Sequence, residues 1–256
     1  MASIHLLVFV KAPLPGEVKT RLARTIGAER ACGVYRALAR DTLEWAAALS
    51  GIEVSVLFSP PGSLELVEPL LPRDARAPVA LLPQCEGDLG ARMEHAFAQA
   101  FDAGARQAIA IGTDCALLGP AEVRESVRLL DAHDIVLGPA KDGGYYLIGL
   151  RSRAPELFSG VPWSSERVLE STLERARAHG RDWALLASSR DLDTEADLAP
   201  LRAELRERWV AIRSGSDLPF PLRTFRALEW ARAEAAAAVN GSGRAGRRIE
   251  SAQADC

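Results

Sequence analysis

Short apolar runs alternate along this chain with longer stretches in which apolar residues recur every three or four positions. Runs of the first kind read as buried strands, and stretches of the second kind as helices with one apolar face. Strands are predicted at His5–Lys11, Glu53–Ser59, Val79–Pro83, Gln107–Gly112, Asp134–Gly138, Tyr145–Leu150 and Trp183–Ala187. Helices are predicted over Ala28–Leu49, Leu64–Leu71, Asp88–Ala105, Pro120–Ala132 and Asp197–Arg208, with one more running from a Ser164 or Ser165 cap to His179. Leu89, Met93, Phe97 and Phe101 fall at four-residue steps and mark a core-facing stripe. Pro120 stands at a first helical position, where its missing N–H costs nothing. Strands that alternate with helices point to an α/β fold: a mostly parallel central sheet covered by helices on both faces, in three layers.

The pattern changes after about Arg213. Ser214-Gly215-Ser216-Asp217 and Pro219-Phe220-Pro221 read as a loop, and Leu222–Val239 as an Ala-rich helix suited to a contact between two copies of the chain. Asn240–Cys256 is polar and Gly/Ser-rich, a composition that cannot bury a core and is expected to be disordered. The predicted organisation is one enzyme-like domain over residues 1–212, a helical extension over 213–239 and a tail over 240–256.

Composition narrows the class. A net charge of −3 over 256 residues argues against a general nucleic-acid binder. The four cysteines, Cys32, Cys85, Cys115 and Cys256, lie far apart, which argues against a zinc site or a disulfide framework. No apolar stretch approaches the roughly 20 residues of a membrane span. The first residues lack the basic start and cleavage site of a signal peptide. A cytoplasmic location is the expectation.

Candidate chemistry sits where strands end. K-A-P-L-P-G-E-V-K-T-R-L, Lys11 to Leu22, follows the first strand and puts Lys11, Lys19 and Arg21 beside the turn residues Pro15 and Gly16. A cationic loop at the C-terminal end of an early strand suits a phosphate. Asp114 ends the apolar strand A-I-A-I-G and is the sharpest candidate for holding Mg²⁺ or Mn²⁺, which take oxygen ligands and bridge to phosphates; the other reading is a capping or turn aspartate. Asp193, with Asp191 close behind, is the candidate second acid, although Asp and Thr before a helix also serve as caps. Asp142-Gly143-Gly144-Tyr145 reads either as a surface for a sugar or acceptor or as a tight hairpin turn. Gln84, Gly87, Asp88 and Arg92 occupy a strand-to-helix junction, where Gln84 offers both a donor and an acceptor to a base edge and Asp88 also suits a helix cap. The four histidines show neither metal-ligand spacing nor a partner.

Taken in order, K-A-P-L-P-G-E-V-K-T-R-L, Q-x-x-G-D-L-G-x-R-M, G-T-D-C, G-P-A-x-D-G-G-Y-Y-L-I-G-L, V-P-W-S and D-L-D-T resemble the DUF2064 family over about Ile4 to Arg208. Ala116, where the family commonly has Pro, and Ser165, where Thr is usual, are the departures. The resemblance implies the GT-A fold of the nucleotide-diphospho-sugar transferases. It implies a nucleotide site at the first loop (Lys11, Pro15, Gly16, Lys19, Arg21) and at Gln84, a divalent-metal aspartate at Asp114 and a second acid at Asp193. Catalytic roles then fall to Asp114, Asp142 and Lys19. Its partners would be a nucleotide or nucleotide sugar and a small acceptor. The first loop also looks like that of 2-phospholactate guanylyltransferases. Two reactions therefore remain: metal-dependent transfer from a nucleotide sugar, or joining a nucleoside triphosphate to a small phosphorylated acceptor with release of pyrophosphate. A nucleotide-binding protein without catalysis is the third reading.

Overall fold

The computed structural model describes residues 3–73, 78–213 and 220–229. The proposed tail over Asn240–Cys256, residues 230–239 of the Ala-rich stretch and the loop at Ser214–Asp217 lie outside the described residues.

Seven strands build one sheet: β1 (Ser3–Lys11), β2 (Glu53–Ser59), β3 (Ala80–Pro83), β4 (Ala105–Ile111), β5 (Ile135–Pro139), β6 (Tyr145–Leu150) and β7 (Trp183–Leu185). Their order is β3-β2-β1-β4-β6-β5-β7. All pairings are parallel except those of β6, which runs antiparallel to both β4 and β5. The helices are α1 (Thr20–Ile26), α2 (Ala28–Ala47), α3 (Leu64–Val67), α4 (Leu89–Asp102), α5 (Pro120–Leu129), α6 (Val168–Ala178) and α7 (Glu195–Arg213). Among the described residues no helix is long and apolar enough to cross a membrane.

The three layers follow from how β1 and β4 alternate. Leu6, Val8 and Val10 of β1, with Ile109 and Ile111 of β4, pack on one face against Ala39 and Leu43 of α2, Val67 of α3 and Val123 of α5. Leu7 of β1, with Ala108 and Ala110 of β4, packs on the other against Met93 and Phe97 of α4 and Ala176 of α6. A strand apolar at every position is thus buried on both faces, as central parallel strands are. Leu198, Leu201 and Leu205 of α7 close a further cluster with Leu22, Val34 and Leu38. Leu228, in the helical stretch 222–229, joins that cluster.

Two local predictions need correction. The loop read over Lys11–Leu22 ends early: Thr20–Ile26 is a separate helix, α1, divided from α2 by Gly27, whose φ is 86°. Neither Ser164 nor Ser165 caps α6: the residue before its first turn is Arg167, with no side-chain cap. Ser164 instead takes a left-handed φ of 66°, and the Ser165 hydroxyl donates to the Pro162 carbonyl.

The strand order positions the site. β1 connects to β2 on one side of the sheet and pairs with β4 on the other, so a crevice opens beyond the C-terminal ends of β1 and β4. Because β6 is antiparallel, with Leu147 opposite Ile111, the start of β6 lies at that same edge.

Candidate functional site

The loop after β1 is held from below by α2. The Tyr35 hydroxyl accepts from the Lys11 N–H at 2.7 Å and donates to the Lys11 carbonyl at 3.1 Å. The Cys32 thiol donates to the Pro13 carbonyl at 3.0 Å. Burial pushes the Tyr35 phenol up to about 12, so the clamp stays protonated. Gly16, at φ 84°, turns the loop back, and Lys19 ends it in the left-handed region at φ 48° as the N-cap of α1.

Lys19 meets the acids. Its ammonium lies 2.5 Å from Asp114 Oδ1 and 2.8 Å from Asp193 Oδ1, with only 3% of the side chain exposed. Burial alone would lower its proton affinity; the two carboxylates outweigh that and raise it, so Lys19 is charged. Asp114 and Asp193 keep 48% and 40% of their side-chain surface open. The two acidic segments are tied together by the Leu192 N–H, which donates to the Asp114 carbonyl at 3.0 Å. The Asp193 turn is set by Asp197, whose Oδ2 accepts from the Asp193 and Thr194 N–H groups and from the Thr194 hydroxyl. Asp191 sits among these acids. Burial first, then Asp114, with smaller pushes from Asp193 and Asp142 and an opposing pull from Lys19, brings its carboxyl up to about 7.

These groups line a cleft of about 640 Å³ at the C-terminal edge of β1 and β4. Lys11, Lys19, Arg21, Gln84, Arg92, Asp114, Tyr145, Asp191 and Asp193 all face it. Lys11 and Arg21 are exposed there. On the opposite wall the buried Gln84 donates to the Leu57 carbonyl at 2.7 Å, and Arg92 reaches the Gly87 carbonyl at 3.0 Å and Gln84 Oε1 at 3.5 Å. Phe9, Leu89 and Met93 give that wall an apolar floor.

Of the other sequence candidates, Pro15, Gly16, Gly87, Asp88, Asp142, Gly143 and Gly144 do not line the cleft. Pro15 and Gly16 shape the loop from outside it. Asp88 Oδ1 accepts from the Ala91 N–H at 2.8 Å, the capping alternative for this residue. Asp142 Oδ1 accepts from the Gly144 N–H, closing the turn between β5 and β6. Gly143 has φ 89°, and a Cβ there would stand 2.0 Å from the Glu166 carbonyl oxygen. The close approach that this glycine permits is to the chain itself. Tyr145 faces the cleft, but its hydroxyl is buried.

Tyr35, Asp197 and Ser164 also belong to the candidate site, as clamp, orienting acid and lining residue, and were not among the site residues chosen from the sequence. Asp197 carried a signal in D-L-D-T-E-A-D; Tyr35 carried none, because an aromatic residue in an apolar helix face reads as core.

Comparison with known proteins bears on the family and the fold. The profile of a family described as uncharacterised proteins conserved in bacteria, DUF2064, matches residues 42–165. A crystal structure from Desulfovibrio desulfuricans G20, described as a candidate nucleotide-diphospho-sugar transferase, is 31% identical over 91% of this chain and 96% of its own, with a TM-score of 0.76. The chain belongs to the DUF2064 family. Its fold is that of the nucleotide-diphospho-sugar transferases. The same fold appears in the 4-diphosphocytidyl-2C-methyl-D-erythritol synthase of Anaerococcus prevotii DSM 20548, at 9% identity over 80% of this chain and 99% of that one, TM-score 0.52. It appears also in the inositol-1-phosphate CTP transferase of T. maritima, at 15% identity over 85% and 99%, TM-score 0.51. No curated protein sequence matches the chain. The family match spans Gln84, Arg92, Asp114 and Asp142, whereas Lys19 and Asp193 fall outside it.

Proposed function

We propose that this protein is a metal-dependent transferase that takes its donor from a nucleotide sugar. The observation that carries the reading is the convergence of Asp114 and Asp193, from two separate loops, on a single cation position at the mouth of a cleft lined by Lys11 and Arg21. The description of the Desulfovibrio relative supports the donor class.

The donor set suits a hard divalent ion. Both acids offer carboxylate oxygens and keep open surface toward the cleft. Among the described residues no group of three His, Cys, Asp or Glu is placed to hold a metal unaided. Two carboxylates completed by substrate phosphates is the arrangement that Mg²⁺ commonly adopts. An ion held by Asp114 and Asp193 would neutralise charge on the phosphates of the leaving nucleotide. Lys11 and Arg21 add fixed positive charge on the same wall, and Asp114 and Asp193 orient the assembly without forming a covalent bond to substrate. We assign the acceptor's proton to Asp191, which lines the cleft, in preference to Asp142, whose Oδ1 is engaged in its turn.

Nucleotidyl transfer from a nucleoside triphosphate is the second reading. Lys11 on the loop and Arg21 in the first turn of α1 suit a triphosphate, and the T. maritima relative is described as a CTP transferase. Incubation with Mg²⁺ or Mn²⁺, a panel of nucleotide sugars and nucleoside triphosphates, and phosphorylated and unphosphorylated acceptors separates the two. Release of nucleoside diphosphate supports the first reading; release of pyrophosphate replaces it with the second. Failure of every nucleotide to bind with metal present overturns both.

A further inference from the structure

The place where Asp114 and Asp193 converge is already taken by a cation of the protein's own. We infer that Lys19 is an internal occupant of the metal position, whose ammonium keeps a bare divalent ion out until a phosphate group offers it another partner. The inference rests on the metal reading above and deepens it.

Lys19 Nζ touches one oxygen of each acid, at 2.5 and 2.8 Å, which leaves no room for a second cation to bind both oxygens. A divalent ion needs oxygens at about 2.0–2.1 Å for Mg²⁺ and must displace the ammonium to reach them. The contact is built rather than incidental. The residue is nearly sealed from solvent, and its backbone is held in a left-handed conformation that non-glycine residues seldom adopt. The arrangement is also releasable. Asp114 and Asp193 remain open on the cleft side, so an ion and its phosphates can approach from there. Lysine carries its charge on a flexible four-carbon stem, which can swing where an arginine fork locked to two carboxylates would not. Lys11 and Arg21 line the same cleft, so phosphates drawn to them arrive beside Lys19. Metal and phosphate should therefore favour one another's binding, because each removes the cost of displacing the lysine for the other.

Mn²⁺ binding to the full chain, followed by the loss of the free-ion electron paramagnetic resonance signal, tests this. Lys19→Met should bind Mn²⁺ alone at least tenfold more tightly than the wild type, and Asp114→Asn introduced into that variant should abolish the gain. A second measurement needs no variant. Acylation of Lys19 in the wild type, read by mass spectrometry of its peptide, should be slow in the free protein and faster in saturating Mn²⁺. If Lys19→Met and wild type bind Mn²⁺ equally through Asp114, or if Mn²⁺ bound at Asp114 leaves Lys19 acylation unchanged, the lysine is no competitor and the inference fails while the metal reading stands. If neither protein takes up Mn²⁺, alone or with inorganic pyrophosphate, both fall together.

Discussion

Asp191 shows how one residue registers its whole surroundings. A carboxyl pushed up to about 7 by burial and by Asp114 holds its proton more tightly in the folded protein than in the unfolded chain, where an aspartate titrates near about 3.9. Its contribution to stability is therefore fully present at low pH and is lost as pH rises from about 4 to about 7. Asp191→Asn should remove that decline, so that thermal melts of the variant and wild type converge at pH 4 and the variant melts higher at pH 8. Equal melting temperatures at both pH values would show that Asp191 is well solvated. Tyr35 offers a second residue-scale prediction. Tyr35→Phe leaves the Lys11 N–H and carbonyl without the hydroxyl between them, at a cost of about 1–3 kcal/mol measured by urea unfolding, with weakened nucleotide binding. The candidate acids were legible in the sequence because each follows an apolar strand. What the sequence withheld was pairing: nothing in K-A-P-L-P-G-E-V-K-T-R-L says that Lys19 answers carboxylates nearly a hundred and more residues away rather than solvent.

Elements were legible where one periodicity prevailed. β2 and β6 have the predicted ends, since Pro60 and the paired glycines punctuate them. α1 was hidden because Thr20–Ile26 is two turns long, follows two prolines and a glycine, and is helical through the packing of Leu22 rather than through any long apolar stripe. The Asp142–Gly144 turn was legible as a turn but ambiguous as a binding surface. In the structure the turn is packed against the start of α6: the Leu169 N–H donates to the Gly143 carbonyl, and Gly143 lies flat against Glu166. Gly143→Ala adds both a backbone strain and a collision, and should destabilise the protein by roughly 2–4 kcal/mol in denaturant unfolding. A loss below about 0.5 kcal/mol would mean that the β5–β6 turn moves freely from the start of α6.

At the scale of the whole molecule, the sheet order brings chemistry together from β1, β4 and the segment before α7, and residues 220–229 help to hold α7 in place. Leu228 is fully buried among Leu198, Leu201 and Leu205, while the Asp41 carboxylate accepts from the Arg223 and Thr224 N–H groups. We propose that the segment 220–229 is part of the nucleotide-binding domain's core rather than a detachable extension. Leu228→Ala should then cost about 2–5 kcal/mol in a single cooperative unfolding transition, whereas an independent appendage would melt separately. A sequence reader sees a composition change near Arg213 and places a boundary there; the returning contacts with α2 and α7 are long-range and leave no local mark. The central claim, that Asp114 and the cationic loop together grip a metal-chelated phosphate, is tested most directly by calorimetric titration of nucleoside triphosphates and nucleotide sugars into wild type and Asp114→Asn, with and without Mn²⁺. The account predicts that a nucleotide binds the wild type only with Mn²⁺, and that Asp114→Asn, still folded by circular dichroism, loses at least tenfold in affinity. Undiminished metal-dependent binding by Asp114→Asn would contradict it.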